Sequence, residues 1–228
     1  MIDFLPGNKY KGKKMILEYQ KNEIAVSPPI SNEEQLSAVI RLAETCNYDA
    51  SHTHHVTHLA LRLFDELSSL HHLTEPERTW LQYAALLHDI GWIEGQKSHH
   101  KASLRIILTT PLLPFDNKER LIIGSIARYH RKALPKLSHD HFASLTPEEQ
   151  QIVRQLSALL RLADGLDSLH QSRVVNLTCK ISRHQIKVTC LVKKVIPNES
   201  LVTAEKGDLL ELVFQRKLVL VYKKIPNE

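Results

Sequence analysis

Between Ser31 and about Ser172, apolar residues recur every three or four positions, which is the spacing of amphipathic helices. Ser31 and Glu34 have the spacing of a capping box, so the first helix should begin there. Short links that contain proline or glycine separate the helical segments. The pattern predicts helices over residues 32–46, 50–70, 75–89, 98–109, 116–131 and 147–168.

After about Ser172 the period changes from 3.6 to 2, which is typical of strands. Two alternating runs, 175–181 and 186–192, favour a hairpin, and a short helix near Leu209 and a last strand over 218–222 follow. The sequence therefore predicts a mostly α fold: a helical bundle and then a small α+β subdomain of β-β-α-β order. The predicted parts are an N-terminal arm (1–31), the helical domain (32–172) and the C-terminal subdomain (173–228).

Composition narrows the class of protein. With 43% apolar and 24% charged residues among 228, the chain has the make-up of a soluble globular protein. No apolar run reaches the roughly 20 residues that span a bilayer, and the N-terminus lacks the apolar block of a secretory signal. We therefore expect a cytoplasmic protein without a membrane partner. Three cysteines without a CxxC motif argue against disulfides and sulfur-rich zinc sites.

Charge and histidine content point to anionic partners and to a site built from imidazoles. The chain has 14 histidines and a formal charge of +5, which favours phosphate esters or nucleic acid as partners. Nucleic acid is disfavoured, because the basic residues are dispersed and no helix-turn-helix, RNP or zinc-finger signature occurs. Neither GxGxxG nor GxxxxGK[ST] is present, so a phosphate group would have to be bound by something other than a glycine-rich loop.

The sharpest local motif is His88-Asp89, which ends an apolar helix and is followed by Gly91, placed to terminate that helix. Alone, such a pair is most simply a hydrogen-bonded helix cap. Other helices carry a ligand-type residue in register with their own apolar faces, and burying these groups without partners would be costly. These residues are His52, His100, His130 and Asp164. A site with one or two divalent ions would satisfy all of them, and imidazole with carboxylate suits Mn, Fe, Ni, Zn or Mg.

Two choices at this site rest on weaker signals. His99 competes with His100 for one ligand position, and the apolar face of the following helix favours His100. Asp167, nearly one turn beyond Asp164, could hold a ligand histidine or a metal-bound water, pair with Arg161 or cap the helix. Basic residues next to the ligands could neutralise phosphate oxygens or form a solvated helix face, and they are Lys101, Arg128, Arg131 and Lys132.

The order and separation of His52, His88-Asp89 and Asp164 resemble the H…HD…D signature of HD-domain metal-dependent phosphohydrolases. The resemblance implies that His88 and Asp89 are catalytic and that the centre holds one or two metal ions. His100 and His130 fall where HD proteins with two-metal sites carry additional histidines. A two-metal site supports in-line hydrolysis of phosphoesters and pyrophosphates.

Over roughly residues 32–225, the chain resembles still more closely the C-terminal region of the exopolyphosphatase and guanosine pentaphosphate phosphohydrolase (Ppx/GppA) family. The motifs are Tyr48-Asp49, Leu86 to Gly91, His99 to Lys101, Arg128 to Lys132 and Leu160 to His170. In that family hydrolysis takes place in N-terminal actin-like domains, for which 228 residues leave no room. The resemblance therefore implies an isolated HD domain, and it allows a homodimer.

Two functions follow from these observations. The first is a metal-dependent phosphohydrolase acting on a small phosphorylated metabolite or nucleotide. The second is a noncatalytic module that binds polyphosphate or a nucleotide for a partner protein.

Overall fold

The computed structural model describes residues 30–193 and 206–225, so the predicted N-terminal arm lies almost wholly outside the described residues. The described part is mostly helical and ends in a three-stranded sheet, which confirms the predicted fold class at this level. Among the described helices, none has the length and apolar character needed to cross a membrane. The helices are α1 (Asn32–Thr45), α2 (Ala50–Glu66), α3 (Ser68–His71), α4 (Glu75–Leu87), α5 (His99–Thr109), α6 (Asn117–Arg128), α7 (Asp140–Ala143), α8 (Pro147–Leu166) and α9 (Asp208–Phe214), with a 3-10 helix at Ile90–Glu94.

The predicted helix over 50–70 is divided at Leu67. The chain turns there because the buried His71 ring packs back on α2, where its Nε2 donates to the carbonyl of Phe64 (2.7 Å). The other ring nitrogen, Nδ1, accepts the N–H of Leu73 (2.9 Å), so His71 is held in its neutral form. The short helix α7 has too few residues for a period to be detected in the sequence.

Helix α8 is the centre of the helical part. It begins with a capping box between Thr146 and Glu149 and with Pro147 in its first turn, as its sequence favours. From Gln155 to Leu166 every residue is buried, because α2, α4, α6 and α9 all pack around this helix. A carboxylate in its last turn, Asp164, is therefore carried into the interior.

Strand β1 (Val174–Ile181) pairs antiparallel with β2 (Gln185–Val192), and β2 pairs parallel with β3 (Lys217–Lys224). The alternating residues of β2 from Ile186 to Val192 are buried. Side chains of α2 fasten the sheet to the helices: Arg62 donates to Asn176 (3.1 Å) and Glu66 accepts the N–H of Cys179 (2.7 Å).

Candidate metal centre

The His88-Asp89 pair lies at the junction of α4 and the 3-10 helix. Gly91 does not terminate α4 as predicted: α4 already ends at Leu87, and Gly91 lies inside the 3-10 helix. Its N–H donates to Ser103 Oγ (2.9 Å), which in turn donates to the carbonyl of His88 (2.7 Å). A hydroxyl of α5 thereby fixes the backbone on both sides of Asp89.

The carboxylate of Asp89 is the centre of the site. Its Oδ2 lies 3.4 Å from His88 Nε2 and 4.0 Å from His52 Nε2. Its Oδ1 lies 3.2 Å from His99 Nε2 and 3.4 Å from His130 Nε2. One carboxylate therefore stands between four imidazoles that come from different segments of the helical part.

All four rings are oriented by their other nitrogen. The Nδ1 of His88 donates to the Ala85 carbonyl (2.7 Å), that of His130 to the Ala127 carbonyl (2.6 Å), and that of His99 to the Gln96 carbonyl (3.1 Å). A carbonyl only accepts, so Nδ1 must carry the proton in each of these rings. Nε2 is the nitrogen left to face Asp89, where it would carry a second proton without an ion and bind the ion when one is present, as histidine ligands do in metal sites.

His52 is oriented by a carboxylate instead. Its Nδ1 donates to Asp167 (2.9 Å), and its Nε2 lies 3.5 Å from Asp164. Asp167 itself accepts the N–H groups of Gln171 (3.0 Å) and Ser172 (2.7 Å). The partner that the sequence left open for Asp167 is therefore His52, and Arg161 instead pairs with Asp208.

The electrostatics of the cluster favour positive charge between the carboxylates. Burial lowers the pKa of His52, but hydrogen bonds and charge from Asp164 and Asp167 outweigh it and raise the pKa to about 9. Burial raises the pKa of Asp89, but His88 and His99 outweigh it and hold that pKa below its usual range. The pKa of Asp164 is likewise lowered, chiefly by Lys206, whose ammonium contacts the carboxylate.

Two overlapping groups of donor atoms could hold metal ions. His52, His88 and Asp89 form one, and Asp89, His99 and His130 form the other, each with its ligand atoms within 4.8 Å of one another. Among the described residues, Nε2 of His52, Nε2 of His88 and Oδ1 of Asp89 are buried without a partner in hydrogen-bond geometry. Such orphaned atoms are costly in an apolar interior, and a bound cation would satisfy them, so the residues fit a metal ion.

Of the two adjacent histidines, His99 and not the predicted His100 lies against Asp89. The 3-10 helix brings Trp92 onto the ring of His99, with centroids 5.0 Å apart and the planes 17° from parallel. His100, the next residue, is also buried, but its ring centroid is 6.4 Å from that of His130, and it belongs to neither group of donor atoms.

A cavity of about 230 Å³ opens on this cluster. Of the predicted phosphate-binding residues Arg131 lines it, whereas Arg128 is buried, and Lys101 and Lys132 are exposed. Four further lining residues were given no role from the sequence, namely Trp92, Ser168, His170 and Lys206. The His170 ring stacks on His52 at 3.7 Å between centroids and hydrogen bonds to Asp49 (3.0 Å).

These features define a mostly helical domain with a buried histidine and aspartate cluster able to hold a divalent ion. The family model of Ppx/GppA phosphatase, domain III, matches residues 35–208, and the chain belongs to this family, as its motifs predicted. The guanosine-5'-triphosphate,3'-diphosphate pyrophosphatase of Pseudoalteromonas atlantica is 28% identical over 133 residues. The match covers 58% of this chain and 26% of that relative, so the chain spans about a quarter of its length.

Proposed function

We propose that this chain is an HD-type metal-dependent phosphohydrolase for a small phosphorylated metabolite or nucleotide. The observation that carries the proposal is the convergence of four Nε2 atoms on Asp89, with each Nδ1 engaged elsewhere. Membership of a phosphatase family supports phosphate as the chemical class of the substrate. We assign the chemistry to the helical domain (32–172), with the α+β subdomain (173–228) attached to it.

In this proposal His52, His88, Asp89 and Asp164 hold one divalent ion. His130 and His99, the latter replacing the predicted His100, hold a second ion together with Asp89. Nitrogen and carboxylate donors suit Mn, Fe, Ni, Zn or Mg. When bound, such an ion supplies Lewis acidity and lowers the pKa of water at the site.

The protein's own residues would position the substrate. Arg131 and Lys206 line the cavity, where their charges would neutralise non-bridging phosphate oxygens. Asp167 would keep His52 in one tautomer and orientation, as the hydrogen-bonded partners of ligand histidines do. Trp92 and His170 form walls of the cavity and would exclude water from one side of a bound phosphate ester.

The first test is metal content per chain, measured by plasma mass spectrometry on protein purified without chelators. We expect one to two equivalents in the wild type and less than a tenth of that in Asp89→Ala. Asp65→Ala is the matched control, because Asp65 lies in an exposed ion pair with Arg78 and belongs to neither group of donor atoms. Wild type and control should hydrolyse at least one phosphoester or pyrophosphate of a substrate panel, and Asp89→Ala should not.

Metal-dependent turnover that persists in Asp89→Ala would contradict the proposal. Negligible metal in the wild type, persisting after reconstitution with each candidate ion, would also contradict it. The second result would instead favour the noncatalytic module that binds polyphosphate or a nucleotide.

A further inference from the structure

A second polar feature lies beside the candidate metal centre, around the guanidinium of Arg128. Arg128 ends α6 and is only 6% exposed. Its Nη1 is buried without an acceptor, and no carboxylate among residues 30–193 and 206–225 forms an ion pair with it. A buried guanidinium without an anion is strongly disfavoured, so this position calls for a negatively charged ligand.

His100 presents a second orphaned group at the same end of the bundle. His99 at the start of α5 meets His130 just beyond α6, with 3.4 Å between their Nε2 atoms, so the two helices run antiparallel. His100 and Arg128 therefore lie at neighbouring helix ends. His100 is 3% exposed, and its Nδ1 is buried without a partner. With its proton on Nδ1, the neutral His100 ring would donate one hydrogen bond to an anion, a weaker bond than those of a charged guanidinium.

The surroundings are positive. Burial lowers the pKa of His100, and the charges of Arg128, Lys132 and Arg131 contribute to lowering it to about 4. Arg128 also acts on His139 and His141, which α7 and its preceding loop bring close, and it lowers the pKa of both after burial. Arg128 thus lies within electrostatic range of three imidazoles, those of His100, His139 and His141.

We propose that Arg128 and His100 form a subsite for a phosphate group, next to the metal centre and separate from its ligands. The choice of phosphate as the anion rests on the proposed function, whereas the subsite itself needs no metal. Arginine binds phosphate through two parallel hydrogen bonds, which suits the buried guanidinium of Arg128. The phosphate could be free orthophosphate or the second phosphate group of a substrate.

The test is calorimetric titration of chelator-treated protein with orthophosphate and with diphosphate. We expect binding to the wild type and at least tenfold weaker binding to Arg128→Met. Arg128→Lys should be intermediate, because it keeps the charge but loses the bidentate geometry. His100→Asn should weaken binding severalfold. Arg41→Met is the matched control on α1, where the exposed Arg41 guanidinium donates to Ser37 (3.5 Å), and it should bind as the wild type does.

The two sources of phosphate give different titrations. Equal affinities for both anions indicate a subsite for free orthophosphate, and diphosphate binding at least tenfold tighter indicates the second phosphate of a substrate. The proposal is overturned if neither anion binds the wild type, or if Arg128→Met binds them equally well. A wild type that holds no metal and hydrolyses no substrate, but still binds these anions, would contradict the phosphohydrolase and leave this subsite standing.

Thermal unfolding separates the subsite from a merely structural arginine. In buffer without multivalent anions, Arg128→Met should unfold at or above the wild-type temperature, because an unpaired buried charge is removed. Phosphate should raise the melting temperature of the wild type and not that of Arg128→Met. A strongly destabilised Arg128→Met, together with a wild type that does not respond to phosphate, would show that Arg128 serves packing alone.

Discussion

Gly91 lets the chain segment that carries Asp89 contact the first turn of α5. A Cβ at this position would lie 2.1 Å from the carbonyl oxygen of His99 and 2.6 Å from the amide nitrogen of Ser103. Both are backbone atoms, so no side-chain rotation can relieve the overlap. In Gly91→Ala, the start of α5 must therefore move away by more than about 1 Å before ordinary van der Waals contact is restored.

The cost of that movement can be worked from the contacts. Overpacking a core costs about 1–3 kcal/mol when side chains can adjust, and a backbone clash belongs at the upper end. The displacement also breaks the hydrogen bond from the Gly91 N–H to Ser103, which leaves a buried donor unpaired at about 1–3 kcal/mol. We expect Gly91→Ala to lower the free energy of unfolding by about 3–5 kcal/mol.

Urea unfolding followed by circular dichroism measures this change. Gly124→Ala is the matched control, because its added Cβ meets the flexible end of Leu104 at 2.9 Å. In the control, alanine has a higher helix propensity than glycine, which offsets this contact. The free energy of unfolding of Gly124→Ala should therefore change by less than about 1 kcal/mol. A Gly91→Ala protein within about 1 kcal/mol of the wild type would refute the reasoning, since the clash would then have been relieved at little cost.

Three further predictions concern histidines. Asp167→Asn weakens the hydrogen bond that orients His52, so metal affinity measured by chelator competition should fall about 10- to 100-fold, and an unchanged affinity would contradict the orienting role. Burial lowers the pKa of His71 below 6.5, so below that pH the unfolded state takes up the proton first and stability is lost as pH falls. In His71→Gln the free energy of unfolding should therefore depend less steeply on pH below about 6.5, and equal slopes in both proteins would contradict this. His99→Gln should lose metal and keep phosphate binding whereas His100→Gln should do the reverse, and metal loss in both would contradict the separation of the two sites.

The helical part of the fold was predictable because apolar residues at helical spacing must face a shared core. The same rule indicated that His52, His130 and Asp164 would be buried, since each continues an apolar face, and all three are buried. Periodicity says which face of a helix a residue occupies, and it says nothing of contacts between distant segments. A hydrogen bond between Asp167 and a ligand histidine was therefore one of several alternatives that the sequence allowed. The contact of Lys206 with Asp164 was not predicted.

The apolar pattern of the sequence could not distinguish between His99 and His100. Both lie in the first turn of α5 and both are buried, so the apolar face of the helix does not separate them. The contacts that orient His99 come from the preceding segment, where Gln96 accepts from its Nδ1 and Trp92 stacks on its ring. That segment is a 3-10 helix and a turn, which carry no apolar period in the sequence. The turn that precedes α5 thus decides which of the two adjacent residues faces Asp89. The other imidazole, that of His100, then lies near Arg128.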